Sequence, residues 1–114
     1  MSYVVTGERE ARYNPGFVGA TATAAGDTTV YQPSDPSKAF RIHWFYAVPV
    51  VRSGEEPPVI TLKITTSADV LVSTFAVGAA FSKSGLVEGP ENGKLKVNLD
   101  IAARVPCTFL IEEF

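Results

Sequence analysis

His43 and Cys107 are the one histidine and the one cysteine of this 114-residue sequence, and they belong to the residue types that most often do chemistry. A metal centre needs several converging ligands. Nucleophilic catalysis needs a serine or cysteine beside a base that a third group orients. Cys107 lies mid-strand among apolar residues, where a thiol is normally inert core filler. We therefore predict no catalytic residue, no cofactor and no metal site.

Adjacent carboxylates at Glu55-Glu56 and Glu112-Glu113 could in principle do acid–base work, but they fall in a predicted loop and near the last residue, which favours solvated positions. No glycine-rich stretch is followed by the Lys-Ser or Lys-Thr pair of a phosphate loop. The net charge of -2 provides no basic field for nucleic acid or an anionic membrane. We predict a protein that is not an enzyme and binds neither nucleic acid nor membrane.

The residues just considered must be positioned by strands, because apolar and polar residues alternate along much of the chain. The strongest pattern is AFRIHWFYAVPV. Regular alternation there places Phe40, Ile42, Trp44, Tyr46 and Val48 on one face, and Arg41, His43, Phe45 and Ala47 on the other. Since the second face is too apolar for plain solvent, we expect Phe45 to contact a neighbouring strand, a loop or another subunit.

Further strands are predicted by the same alternation in VITLKITT, GKLKVNLD and VPCTFLIEEF. The stretch FVGATATAAGDTTVYQP predicts two strands around a turn, or one strand with a bulge, with small side chains in the first. Asn92-Gly93 predicts a two-residue hairpin. About seven to nine short strands and no convincing helix predict an all-β, antiparallel β-sandwich that is jelly-roll-like. Residues 17–114 form this single domain.

Residues 1–16 are predicted to form an N-terminal arm, because GEREARYNPG has no helical apolar stripe and ends in a turn signal. The segment MSYVVTGEREAR lacks the pattern of a signal peptide, which predicts a soluble, non-exported chain. An arm without its own core can add a strand or lie along a partner. Tyrosine and arginine are favoured at interfaces. The predicted partner-binding residues of the arm are Tyr3, Val4, Val5, Arg9, Arg12 and Tyr13.

The last quarter of the chain resembles small β-sandwich virion proteins of tailed bacteriophages, which often end in G-x-L-x-V-N-L, a small-residue link and V-x-x-T-x-x-x-E-E. The matching residues here are Gly93, Leu95, Val97, Asn98, Leu99, Ala102, Ala103, Val105, Thr108, Glu112 and Glu113. The segment AFRIHWFYAV also looks like the early core strand of that family. The arm matches no pattern of the family.

This resemblance implies a capsid decoration (cement) protein, made in the host cytoplasm and bound to the exterior of the virion. Its expected partners are the major capsid protein and further copies of itself in a homotrimer. A small tail or fibre-associated component is an alternative. From a different class, a carbohydrate-binding β-sandwich module would use exposed aromatics such as Tyr31, Phe45 or Tyr46.

Overall fold

The computed structural model describes residues 15–78 and 81–114, with side chains described outside 77–86. Within these ranges the chain forms eight β-strands. They are β1 (Gly16–Ala22), β2 (Gly26–Tyr31), β3 (Phe40–Ala47), β4 (Ile60–Thr65), β5 (Leu71–Gly78), β6 (Phe81–Gly89), β7 (Lys94–Leu99) and β8 (Val105–Glu113). No helix long and apolar enough to cross a membrane occurs in the described part of the chain.

The strands form two four-stranded antiparallel sheets, which confirms the predicted β-sandwich. The first sheet has the order β1-β8-β3-β6 and the second has the order β2-β7-β4-β5. This is the strand order of an eight-stranded jelly roll, in which most connections carry the chain from one sheet to the other. The two predicted strands of residues 17–32 are confirmed as β1 and β2, and they belong to different sheets.

The core lies between the two sheets and consists of residues from alternating strand positions. The predicted inward positions of β4, β7 and β8 are confirmed. The buried hydrophobic residues are Ala22, Phe40, Ile42, Phe45, Ala47, Ile60, Leu62, Ile64, Leu95, Val97, Leu99, Val105, Cys107, Phe109 and Ile111. Burial of these side chains is the main source of stability, at roughly 25 cal/mol per Å² of apolar surface removed from water.

A β-bulge in β3 corrects the predicted face assignment of this strand. Ile42 lies opposite Ile111 of β8 while Trp44 lies opposite Leu110, so His43 is an extra residue in the register. Beyond the bulge the alternation changes phase. Phe45 is therefore 4% exposed and belongs to the core, whereas Trp44 lies on the outer face. The prediction that Trp44 shares a face with Phe40 and Ile42, opposite Phe45, is wrong.

The predicted hairpin at Asn92-Gly93 is also wrong, although the turn itself exists. Asn92 has a positive φ of 54°, and the Gly93 N–H donates to the Pro90 carbonyl at 2.9 Å. However, β6 pairs with β3, and β7 pairs with β2 and β4. The segment therefore connects the two sheets, because β6 and β7 belong to different sheets. The Asn92 N–H donates to the Lys38 carbonyl at 2.8 Å.

Candidate interaction surface: an aromatic face on the first sheet

The middle of the outer face of the first sheet carries large apolar side chains. Phe17 of β1 lies opposite Leu110 of β8, and Leu110 lies opposite Trp44 of β3. Tyr46 follows two positions after Trp44 on the same face of β3. We name these four residues, Phe17, Trp44, Tyr46 and Leu110, the aromatic face.

The three rings of the aromatic face contact one another in sequence. Phe17 meets Trp44 edge-on, with ring centroids 6.4 Å apart and an interplanar angle of 88°. Trp44 and Tyr46 are parallel to within 3°, with centroids 6.1 Å apart. Phe17 is 72% exposed and Tyr46 is 45% exposed. Large exposed apolar patches mark interaction sites more often than solvated surface, and aromatic residues are enriched where proteins bind proteins.

Paired charges lie on the outer face of the second sheet at β2, β4 and β7, whereas Leu71 and Val72 of the edge strand β5 are 55% and 50% exposed. Asp69, which has a positive φ of 67°, accepts hydrogen bonds from Lys96 at 2.7 Å and Lys94 at 2.9 Å. These bonds, first from Lys96 and then from Lys94, lower the pKa of Asp69 to about 2. Asp27 accepts from Asn98 at 2.7 Å and pairs with Lys63 at 3.2 Å. This part of the face is a solvated network of paired charges, so the two outer faces differ in chemistry.

A cluster of paired charges borders the aromatic face at one end of β3 and β8. Arg41 pairs with Glu88 at 2.8 Å and with Glu112 at 3.4 Å. The His43 Nε2 lies 2.8 Å from Glu112 Oε1, and this hydrogen bond, followed by Arg41, lowers the pKa of Glu112. The Arg41 guanidinium also lies 4.4 Å from the Phe114 ring centroid, within the range of a cation–π contact. These charged and polar groups therefore pair with one another at the edge of the aromatic face.

His43 and Cys107 lie on opposite faces of the first sheet. Cys107 is buried in the core, where its thiol donates to the Val105 carbonyl at 3.4 Å and burial raises its pKa to about 11. A thiol with a raised pKa is a poor nucleophile at neutral pH. Among residues 15–78 and 81–114, no group of three or more His, Cys, Asp or Glu could hold a metal ion.

The adjacent carboxylates at the end of β8 have separate partners. Glu112 belongs to the charged cluster with His43 and Arg41. Glu113 accepts a hydrogen bond from the Tyr31 hydroxyl of the second sheet, and burial, followed by this bond, raises the pKa of Tyr31. The Tyr31 ring also packs edge-on against Phe40, with centroids 5.6 Å apart. Glu113 therefore joins the two sheets, and the two carboxylates do not form one acidic site.

The predicted partner-binding residues divide into two groups in the structure. Tyr3, Val4, Val5, Arg9, Arg12 and Tyr13 lie outside the described residues. Phe45 is in the core, with its ring centroid 6.2 Å from that of Phe109, so the fold does not favour it as a contact for another molecule. Of the aromatics named for a carbohydrate site, Phe45 is inside the sandwich, Tyr31 is partly buried against the core, and Tyr46 lies on the aromatic face.

Sequence reasoning missed Phe17 and assigned Trp44 to the wrong side of the sheet. The exposure of Phe17 could have been predicted from the alternation in β1. Val18, Ala20 and Ala22 share the inner face of this strand, and Phe17 lies on the outer face. Trp44 could not have been found in this way, since AFRIHWFYAV alternates without a visible break. The irregularity at His43 appears only in the pairing of β3 with its neighbours β6 and β8.

Comparison with known proteins finds similarity among solved structures. The sequence matches no family model and no curated protein. A solved structure of Bacillus endospore appendages, described as disulfide-linked pili, is similar to this chain with a TM-score of 0.55 and 17% identity. The match covers 84% of this chain and 83% of that chain. This likeness shows the fold alone.

Proposed function

We propose that this chain is a non-enzymatic structural subunit that binds other protein subunits through its aromatic face and its N-terminal arm. The observation that carries the proposal is the exposure of Phe17 and Tyr46 beside Trp44 on a sandwich whose core is otherwise well buried. Exposed rings on a sheet that already has a complete core contribute little to folding. They contribute to binding when a partner removes them from water.

The specific assembly that we propose is a bacteriophage capsid, on which the chain acts as a decoration protein. The resemblance of residues 93–113 to small virion proteins supports this assignment. Each copy would bind across the boundary between neighbouring major capsid subunits. A ligand that binds only the assembled shell stabilises it by mass action, so the shell would resist separation of its subunits.

The pilus protein of similar fold supports a structural role, since it belongs to an appendage. Its disulfide linkage does not transfer to this chain. Cys107 is the one cysteine of the sequence, and it is buried in the core. A chain with one cysteine can form a disulfide to one other chain at most, so disulfides alone cannot join many copies in a row. We therefore propose noncovalent contacts as the basis of assembly.

Co-expression with the major capsid protein encoded in the same genome tests the proposal. The number of copies retained on purified shells would be measured for the wild type, for a deletion of residues 2–13, and for the double variant Trp44→Ser/Tyr46→Ser. We expect the wild type to bind at a fixed ratio to the capsid protein. We expect each variant to lose binding by tenfold or more, about 1.4 kcal/mol per factor of ten.

The matched control is Val50→Ser/Val59→Ser, which removes two exposed apolar side chains outside the aromatic face; Val50 and Val59 are 53% and 52% exposed. This control should bind as the wild type does. Circular dichroism and thermal melting would show that all variants fold. If the wild type does not bind shells, the capsid role is wrong. If the double variant binds as well as the control, the aromatic face is not the contact.

A further inference from the structure

The four edge strands of the sandwich differ in how they are protected against pairing with another chain. Natural edge strands avoid pairing with other chains because they carry charges, prolines or bulges. Along β2 the register shifts and Asp27 adds a charge, and along β5 the register shifts twice. The register of β6 also shifts, and its sequence includes Lys83 and Glu88. Each of these three edges therefore carries at least one protective feature.

β1 has none of these features. Its sequence, GFVGATA, contains no charge and no proline. All seven residues pair with β8 in one unbroken register, from Gly16 opposite Ile111 to Ala22 opposite Val105. Its side chains are small apart from Phe17 and Val18. β1 is thus a regular, uncharged edge that another strand can approach closely.

Gly19, at the centre of β1, is not required by the fold of the single chain. A Cβ built at Gly19 would have the Cys107 carbonyl oxygen at 4.0 Å as its one neighbour within that distance, so the position has room for a side chain. The φ of Gly19 is not in the left-handed region, and the strand has no bulge there. A glycine inside a strand often marks a place where another backbone or group approaches.

We propose that β1 pairs antiparallel with β1 of a second copy, about a two-fold axis at Gly19. This is the register in which all seven residues of each strand are paired, with Gly16 opposite Ala22 and Phe17 opposite Thr21. The pairing forms about six to eight backbone hydrogen bonds between the copies. It joins two four-stranded sheets into one continuous eight-stranded sheet. Such an interface is isologous and produces a closed dimer.

In this register Phe17 lies diagonal to Gly19 of the second copy, within reach of an aromatic side chain. The missing side chain at Gly19 leaves space for the Phe17 ring, which is 72% exposed in the single chain. The fold already uses this arrangement elsewhere. Phe40 lies opposite Gly89, and its ring occupies the space that a Cβ at Gly89 would need, at 2.3 Å. The dimer therefore accounts for both the glycine and the exposed phenylalanine.

The inference goes beyond the proposed capsid role, because the β1 contact can form whether or not a shell is bound. Its test is the native mass of the purified chain by light scattering over a range of concentrations. We expect a dimer that dissociates on dilution. Gly19→Lys would place two like charges opposite one another and should raise the dissociation constant by at least about tenfold. Ala76→Lys on β5 is the matched control and should leave the dimer unchanged.

Cross-linking tests the register. Directly opposed residues of antiparallel strands have Cα atoms about 4.5 or 5.5 Å apart, which suits a disulfide. Gly19→Cys should therefore form a covalent dimer on mild oxidation, whereas Ala76→Cys should not. Because position 19 has room for a side chain, both Gly19 variants should fold, as thermal melting would verify. A strict monomer, a trimer, or a dimer that Gly19→Lys does not weaken would overturn the inference.

Discussion

At the scale of single residues, Gly89 and Phe40 form the tightest match between a small and a large residue in the described core. Phe40 is fully buried, and a Cβ at Gly89 would lie 2.3 Å from two atoms of its ring. The ring cannot swing away, because Tyr31 packs against it from the other sheet. Position 89 therefore requires glycine because of the packing of Phe40, and not because of the φ angle of the backbone.

We expect Gly89→Ala to destabilise the fold by about 1–3 kcal/mol, the usual cost of overpacking a core. The measurement is the free energy of unfolding from urea denaturation. Gly19→Ala, measured at a protein concentration below the dissociation constant of the β1 dimer, is the matched control. Its added methyl group enters open space in the single chain, so it should leave the free energy within about 0.5 kcal/mol of the wild type. Equal losses for the two variants would show that the contact at Phe40 is not the cause.

At the scale of elements, the bulge in β3 decides which residues reach the surface. It places Phe45 in the core and Trp44 on the aromatic face. Deletion of His43 should turn β3 into a regular strand that keeps Ile42 and Phe45 inward and Trp44 outward. Such a deletion removes the hydrogen bond to Glu112, so we expect a loss of about 1–2 kcal/mol.

Deletion of Arg41 is the matched control for the bulge, since it removes one residue from the same strand. In a regular strand it would turn Ile42 outward and His43 inward, and we expect a loss of about 2–5 kcal/mol, as for truncation of a buried isoleucine. Urea denaturation of both deletions would compare the two losses. A larger loss for the His43 deletion would contradict the role assigned to the bulge.

The sequence predicts the strands and the inward residues of β4, β7 and β8 well, because each has one buried face and clean alternation. It does not predict strand partners. Asn92-Gly93 has the composition of a hairpin turn, yet it connects two sheets, and only the strand pairing shows the difference. The aromatic face likewise depends on one extra residue at His43, a property of the pairing and not of the amino-acid pattern.

At the scale of the whole molecule, several surface carboxylates titrate below their ordinary range. The lowered pKa values belong to Asp27, Asp35, Asp69 and Glu112. The hydrogen bonds that lower them come first from Asn98, Ser37, Lys96 and His43, respectively. In the unfolded chain these groups regain ordinary pKa values of about 4. The folded state therefore binds fewer protons than the unfolded state in the acid range.

Stability from these groups is fully present above their unfolded pKa values and is lost as the pH falls through the folded ones. We expect the melting temperature to be nearly constant from pH 7 to about 5 and to fall between about pH 4.5 and 2. The fall should be modest, since exposed ion pairs are individually weak. Asp69→Asn should be less sensitive to acid than the wild type. A melting temperature that stays constant to pH 2 would contradict this assignment.

The position of β8 between β1 and β3 has a consequence for synthesis on the ribosome. β1 pairs with β8 alone within its sheet, and residues 105–113 are translated long after residues 16–22. At ~5–20 residues per second, β1 waits for several seconds without its neighbour. The strand has no charged side chain, and its backbone N–H and C=O groups are then unpaired along both edges. The first sheet can close only after translation of β8, so β1 is accessible to other chains until that strand emerges.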